Sequence, residues 1–437
     1  MHKLGKQQLP VDAALAPALA INLRHLRALS AVARAGSIAA AAPSLFRVAS
    51  AVARSITELE FALGRPLFER RARGMLLNAY GELVLARARR IEEEFKAAQS
   101  QLAVRAGAAV RTDGTSLFAS ILNGRRLAVI ASLAETRNMP AVAREFQITQ
   151  PAISVAVKKL EAGLGVLLFA RSARGLIPTL AGEIVTFHFK RVLAELRHIL
   201  PDIAASDGVL EGSVTVGALP LGRTQVLPLA ITSLLRKHPS LRVATVESPY
   251  EALATALRSG DIDFILGALR TASATRDMQQ EVLFEDQISL ITRAGHPLTR
   301  RSSLDFATLR STMWVLSRRG SPSRELFDQF FSSARQAPPV PAVETGDLAV
   351  LRGLLLESDM VTALSSHQLR YEIRSGSLVV LDFPLEMTRR QIGLTQRAGG
   401  FPSPGASALM QEIRNTVAAS DDYRGKEHND RERSAAA

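Results

Sequence analysis

ITQPAISVAVKKLEAGLGVLLFARSARGLIPTLAGE, residues 148–183, is the stretch whose reading decides the fold. Thr149 stands where an N-cap is needed, and Pro151 occupies the first helical turn, where its missing N–H costs nothing. Ile153, Val157, Leu160 and Leu164 recur at i, i+4, i+7 and i+11, which predicts a helix over 150–163 with one buried face. Its other face presents Gln150, Ser154, Lys158 and Lys159: amide, hydroxyl and ammonium groups that suit base edges and phosphates in a major groove. Leu167-Leu168-Phe169 reads as a strand, Arg171 to Gly175 as a basic turn, and Leu176-Ile177 as the returning strand. Upstream, residues 127–134 and 140–146 read as two helices, with Gln147-Ile148-Thr149 as the turn into the third. By periodicity alone, a helical bundle with a polar face fits as well as a helix-turn-helix with a basic wing.

The same grammar occurs twice. Leu59-Glu60 recurs as Leu160-Glu161, an offset of 160 − 59 = 101 residues. That offset also pairs Leu63-Gly64 with Leu164-Gly165, Leu67-Phe68 with Leu168-Phe169, Ala72-Arg73-Gly74 with Ala173-Arg174-Gly175, and Gly81-Glu82 with Gly182-Glu183, without a gap. Two copies make a duplication rather than a solenoid.

Residues 148–183 closely resemble the N-terminal winged helix-turn-helix of the LysR family of bacterial transcription regulators. The resemblance rests on Thr-Gln-Pro-Ala, Leu-Glu, Leu-Gly-x-x-Leu-Phe, Arg-x-x-Arg-Gly and Thr-x-x-Gly. It implies that Thr149, Gln150, Pro151 and Ser154 lie at the DNA-facing start of the recognition helix, Lys158 along it, and Arg171 and Arg174 in the wing. Val155 replaces a basic residue that the family pattern carries. The first copy keeps Arg54 at the corresponding place, and its wing keeps Arg70 and Arg73. Its helix start, however, has Val48, Ala49 and Ala53 where the pattern has Ser/Thr, Gln and Ser. Such side chains offer base edges nothing beyond contact with a thymine methyl. The expectation is that copy two reads sequence, while copy one is a low-specificity clamp or a structural element.

Charge divides the chain in the same way. Residues 1–205 hold 28 Lys+Arg against 15 Asp+Glu, and residues 206–437 hold 26 against 26, so the whole excess of +13 lies in the first half. A basic half suits a polyanion such as double-stranded DNA, although a basic solvated surface also explains it. With no cysteine, disulfides, thiolate zinc sites and cysteine nucleophiles are excluded. The eight histidines show no paired metal spacing, and no Gly-x-Ser-x-Gly, P-loop or GxGxxG occurs, so neither an enzyme, a metal site nor a cofactor is expected. Because no apolar run is long enough to span a bilayer and the N-terminus has no continuous hydrophobic region, a cytoplasmic bacterial protein without membrane contact is expected.

Each copy runs into an amphipathic helix, from Glu82 to about residue 106 and from Glu183 to about Ile199. Such a stripe can pack on its own domain. In the LysR family this linker helix pairs with its twin, implying a homodimer or homotetramer; with two per chain, the pairing is open between chains and within one. The neutral half alternates strand, helix, strand, helix, strand from Glu211 to Gly267, the pattern of a parallel α/β sheet that binds ligands at strand carboxyl ends. It resembles the two-lobed, periplasmic-binding-protein-like LysR effector domain, with Ala294-Gly295-His296-Pro297-Leu298 similar to the crossing between lobes. The resemblance implies a small-molecule effector, and the LPLGRT loop and Val246-Glu247-Ser248-Pro249-Tyr250 are closest to a subgroup linked to sugars or aromatic acids. Candidate cleft residues are Leu219, Pro220, Leu221, Thr224, Gly267 and Arg270 in lobe one, and Ser317, Arg319, Gly320, Ser321 and Thr345 in lobe two. Either arginine suits a carboxylate or phosphate.

The expected architecture is thus multidomain α and α/β. It comprises a flexible arm (1–20), two winged helix-turn-helix domains (21–80 and 121–181), linkers (81–120 and 182–206), an effector domain (207–417) and a disordered tail (418–437). In the effector domain, lobe one is 212–296 and 383–417, and lobe two is 297–382. The alternatives are a cytosolic solute-binding protein and an architectural DNA-binding protein without a working sensor.

Overall fold

Helix Gln150–Leu164 forms where its signals place it: the Thr149 hydroxyl accepts from the Ala152 amide at 3.3 Å, and Gly165 closes the far end at φ 70°. The first copy builds the same element, Ala49–Leu63, closed by Gly64 at φ 67°, but with Val48 at the cap position and no side-chain cap. The computed structural model describes residues 15–71, 74–105, 123–172, 175–271, 275–420 and 423. Each copy is a winged helix-turn-helix. The first has helices Leu23–Ala35, Ile38–Ala41 and Ala49–Leu63 and the hairpin β1 (Phe68–Arg71) and β2 (Gly74–Leu77). The second has Gly124–Thr136, Met139–Glu145 and Gln150–Leu164 with β3 (Phe169–Ser172) and β4 (Gly175–Pro178).

The motif residues that repeat at the 101-residue offset hold this shape. Glu60 accepts the Leu67 amide at 2.8 Å, and Glu161 the Leu168 amide at 2.7 Å, tying recognition helix to wing. A Cβ on Gly81 would fall 2.2 Å from the Leu67 carbonyl oxygen, and one on Gly182 2.0 Å from that of Leu168, so only glycine lets the linker helix leave so close to the wing.

The linker helices, Ala79–Arg105 and Leu180–Ser206, pair with each other inside the chain. They run antiparallel, since Arg87 meets Glu195 and Asp202 while Glu94 meets His188. One continuous apolar core, from Ala18 to Ile203, joins both modules and both linkers. The second linker is helical to Ser206, the end of the expected linker segment, although its apolar stripe reads only to about Ile199. The end of the expected flexible arm is also ordered: Leu15–Ala20 is helical, Ala18 is buried, and the segment packs on the second linker.

The effector domain is one mixed sheet ordered β10-β9-β11-β8-β13-β7-β5-β6, with β12 (Leu378–Val380) beside β8. Lobe one holds β5 (Gly212–Ala218), β6 (Leu241–Val246) and β7 (Phe264–Ala268), all parallel, and β13 (Arg389–Arg397) antiparallel to β7. Lobe two holds β9 (Met313–Leu316), β10 (Val343–Glu344) and β11 (Met360–Ser365). The 16-residue β8 (Met278–Arg293) belongs to both: it pairs with β13 up to Gln287 and with β11 from Ile288. The chain therefore crosses between lobes inside β8, not at residues 294–298, and Ile288 and Leu290 already lie in the lobe-two core around Trp314. The cause is strand length, since a single long strand serves two half-sheets. The final helix, Pro404–Ala418, packs on Val226–Lys237, and Tyr423, inside the expected disordered tail, is buried with its hydroxyl on Gln225.

Candidate nucleic-acid interface and effector cleft

On the second recognition helix, Gln150, Pro151, Lys158 and Lys159 are exposed, as is Arg171 on the wing, so the polar face expected from sequence stands clear of the core. Thr149 is exposed with its hydroxyl engaged as the cap, and Ser154 is half-buried with its hydroxyl 3.6 Å from the Met139 sulfur. Val155 is 51% exposed, an apolar gap in this face. Arg73 and Arg174 lie outside the described residues, as does the side chain of Arg70.

The first recognition helix presents a different surface. Phe46 (93%) and Val48 (68%) in the turn before it and Phe61 (89%) on it are exposed large apolar groups, at the positions of Gln147, Thr149 and Ala162 in the second copy. Thr57 and Glu58 stand where the second copy has Lys158 and Lys159. Arg54, expected on DNA, donates to Glu58 at 2.7 Å, and this bond with its charge holds the guanidinium pKa above the ordinary value. Glu58 also lies 3.1 Å from His25. The first copy thus engages the matching cation of its recognition helix within that same helix.

Beneath both modules, the linker pair carries an ionic cluster that the sequence reading missed. Arg87, fully buried, donates to Asp202 at 2.7 and 3.1 Å, to Glu195 at 2.8 Å and to the Phe401 carbonyl at 2.8 Å, and stacks on the Phe401 ring. Burial alone would lower the pKa of Arg87, but the two carboxylates hold it above its ordinary value. Burial would likewise raise Glu195, but Arg87 and Arg90 hold it below the carboxylate range. Arg191 meets Glu94 at 2.6 Å, and His188 meets it at 2.7 Å. Applying the 101-residue offset to charged residues would have exposed the cluster: Arg90 and Arg191 correspond, as do Glu94 and Glu195.

Lobe one is bolted to this pair. Lys190 contacts Asp261, Arg197 donates to the Gly260 carbonyl at 2.7 Å, and His198 lies 3.4 Å from Asp263. Burial would raise Asp263, but His198 and the Thr215 amide hold its carboxyl low. These two aspartates form an interdomain joint.

In the effector domain the candidates gather at the carboxyl ends of β5, β7, β9 and β10, but their side chains divide. Leu219 and Leu221 are spent in apolar cores, and Pro220 is exposed. A Cβ on Gly267 would sit 2.4 Å from that of Leu219, so Gly267 serves packing. Thr224 donates to the His367 carbonyl at 3.3 Å, across the lobes. Thr345 is buried with its hydroxyl accepting from the Asp347 amide, and Ser317 gives its carbonyl to buried Arg324. Arg319 is 81% exposed, 3.8 Å from Glu344, and Gly320 is an exposed turn at φ 80°.

Two features remain suited to a ligand. Arg270 stacks over the Tyr250 ring at 4.3 Å; burial lowers its pKa, while Tyr250, Glu251 and Glu325 of lobe two act to raise it. Ser321 caps the helix Pro322–Ser333 in position but makes no cap bond, and its buried hydroxyl has no partner. Neither a cavity of about 590 Å³ beside Gln225 and Arg370 nor a smaller one at Arg197 and Asp263 includes these residues. Among the described residues no single helix is long and apolar enough to cross a membrane.

Comparison with known proteins agrees with this layout. The LysR substrate binding domain matches residues 207–418, and the bacterial regulatory helix-turn-helix protein, lysR family, matches twice, at 23–82 and 125–183. The HTH-type transcriptional regulator GalR of Pseudomonas putida is 46% identical over 396 residues, 91% of this chain and 97% of its own length. GbpR of Azospirillum brasilense is 28% identical over 301 residues, covering 68% of this chain and 86% of its own. The structure of a full-length OxyR variant from Pseudomonas aeruginosa is similar with a TM-score of 0.52 and 25% identity, over 69% of this chain and 96% of that one. The chain belongs to the LysR family of bacterial helix-turn-helix transcription regulators, with the DNA-binding unit present twice ahead of one effector-binding domain.

Proposed function

We propose that the second module reads the operator through Gln150, Ser154 and Lys158, with Arg171 on a flanking phosphate, and that the sensor takes a small organic acid or sugar between its lobes. The exposed polar face of helix Gln150–Leu164, set against the apolar face of its twin, carries the first part. An exposed amide gives bidentate contact with adenine, and lysine holds guanine or phosphate. Arg270 on Tyr250 in lobe one and an unpartnered Ser321 hydroxyl at a helix N-terminus in lobe two support the second part, because such groups offer an anion charge and donors. An aromatic acid meets the additional demand of the Tyr250 ring. Effector binding favours a closed arrangement of lobes. Since lobe one is fixed to the linkers, lobe two is the part that moves. The chain works as a regulator rather than a catalyst, in the bacterial cytoplasm where its DNA lies.

Footprinting on genomic fragments tests the reader: a discrete protected site is expected, lost in Gln150→Ala/Ser154→Ala. Protection unchanged by that double substitution would refute the assignment. For the sensor, the expected outcome of thermal-shift screening with aromatic acids and sugars is that stabilisation by an acid disappears in Arg270→Ala. An undiminished shift would place the ligand elsewhere.

A further inference from the structure

The linker pair bears the mark of a two-fold interface folded into one chain. In a symmetric dimer, residue i of one subunit meets residue j of the other, and j meets i in return. Here the 101-residue offset supplies the symmetry operation. Arg90 meets Glu195 at 3.0 Å, and their images Arg191 and Glu94 meet at 2.6 Å. Arg87 meets Glu195 at 2.8 Å, and the images His188 and Glu94 meet at 2.7 Å. Both pairs are reciprocated. Additional contacts close the unit: Arg65 and Tyr80 beside the first wing bind Asp207 at the end of the second linker. The connection is long enough, since 17 residues separate Arg105 from Asn123. They span up to about 60 Å when extended, against about 40 Å for a 27-residue helix.

The symmetry stops at the surface that faces DNA. The scaffold positions Leu59-Glu60, Leu63-Gly64 and Gly81 are kept in both copies, whereas Gln147, Thr149, Gln150, Ser154, Lys158 and Lys159 become Phe46, Val48, Ala49, Ala53, Thr57 and Glu58. The amides and lysines of that face are gone, and one carboxylate has been added.

We propose that a single chain forms the complete two-module DNA-binding head and that its operator is lopsided: double-stranded DNA with one half-site read through its bases by the second module, and an adjoining half held without base hydrogen bonds by the first. The operator part rests on the reading role of the second module proposed above; the single-chain head does not.

The 437-residue chain, free of cysteine, allows both parts to be tested. Glu94→Cys/Arg191→Cys, treated with a short bis-maleimide, joins one chain to itself if the head is internal. The expected product migrates as a single chain under denaturing conditions, with both thiols consumed and the mass of one linker gained, and footprinting confirms that the variant is folded. A covalent dimer overturns the single-chain head. On duplexes carrying base-pair changes across the protected site, changes in one half are expected to cost roughly tenfold or more each, and changes in the other half less than about twofold. Equal losses in both halves overturn the lopsided operator. A footprint that survives Gln150→Ala/Ser154→Ala overturns the reading module, and with it the operator claim, while leaving the cross-linking result to stand or fall alone.

Discussion

Lys158 and Lys159 on one recognition helix, and Thr57 and Glu58 on the other, place opposite electrostatics on matching surfaces. Each phosphate-bound lysine releases condensed counterions, so its removal flattens the salt dependence of binding. Lys158→Ala/Lys159→Ala is expected to reduce the slope of log affinity against log salt by about 2, measured by titration at several salt concentrations. Thr57→Ala/Glu58→Ala should leave that slope unreduced. The exposed polar face of the second copy was readable from sequence, because the apolar positions Ile153, Val157, Leu160 and Leu164 mark the buried side of its helix. Arg54 was not: its match to a DNA-contacting position is genuine in register, but Glu58 one turn along captures it.

At the scale of elements, the antiparallel linker helices hold the head together around Arg87. Arg87→Ala would leave Glu195 and Asp202 with reduced compensation in the core, and the head is expected to lose about 3–5 kcal/mol in denaturant melts. Acid acts on the same cluster. The folded-state pKa of Glu195 lies below its ordinary 4.5, so its stabilisation is complete above that value and is lost as pH falls through the depressed one. Urea melts followed by helical circular dichroism should weaken on acidification through this window. Glu195→Gln should start lower at pH 7 and depend less on pH over it. Trp314, the only tryptophan, is buried in lobe two, so its fluorescence reports a separate region during the same melts. The amphipathic stripes were legible as helices but their partner was not, because periodicity says which face is buried and never against what.

Over the whole molecule, the order of modules, linkers and sensor follows from the repeat, the charge split and the strand–helix alternation, and the structure has that order. The details that escaped are those in which distant segments meet. Phe401 closes over Arg87, the Ser259–Asp263 turn grips the second linker, and β8 serves both lobes. Tyr250 enters the sequence reading only through the stretch 246–250 and not as a partner of Arg270, since only the fold brings residues 250 and 270 together. Leu219 and Leu221 show the reverse case: the loop is where it was expected, yet their side chains face inward.

Keeping both linker helices on one polypeptide also changes how the regulator responds to its own abundance. A head assembled from separate subunits must first find its partner, so occupancy at low copy number rises more steeply than in proportion to concentration. A tether replaces that encounter with a fixed local concentration on the order of millimolar. Halving gene dosage should then halve the population of assembled heads rather than quarter it, and a newborn cell that inherits very few chains still inherits working ones.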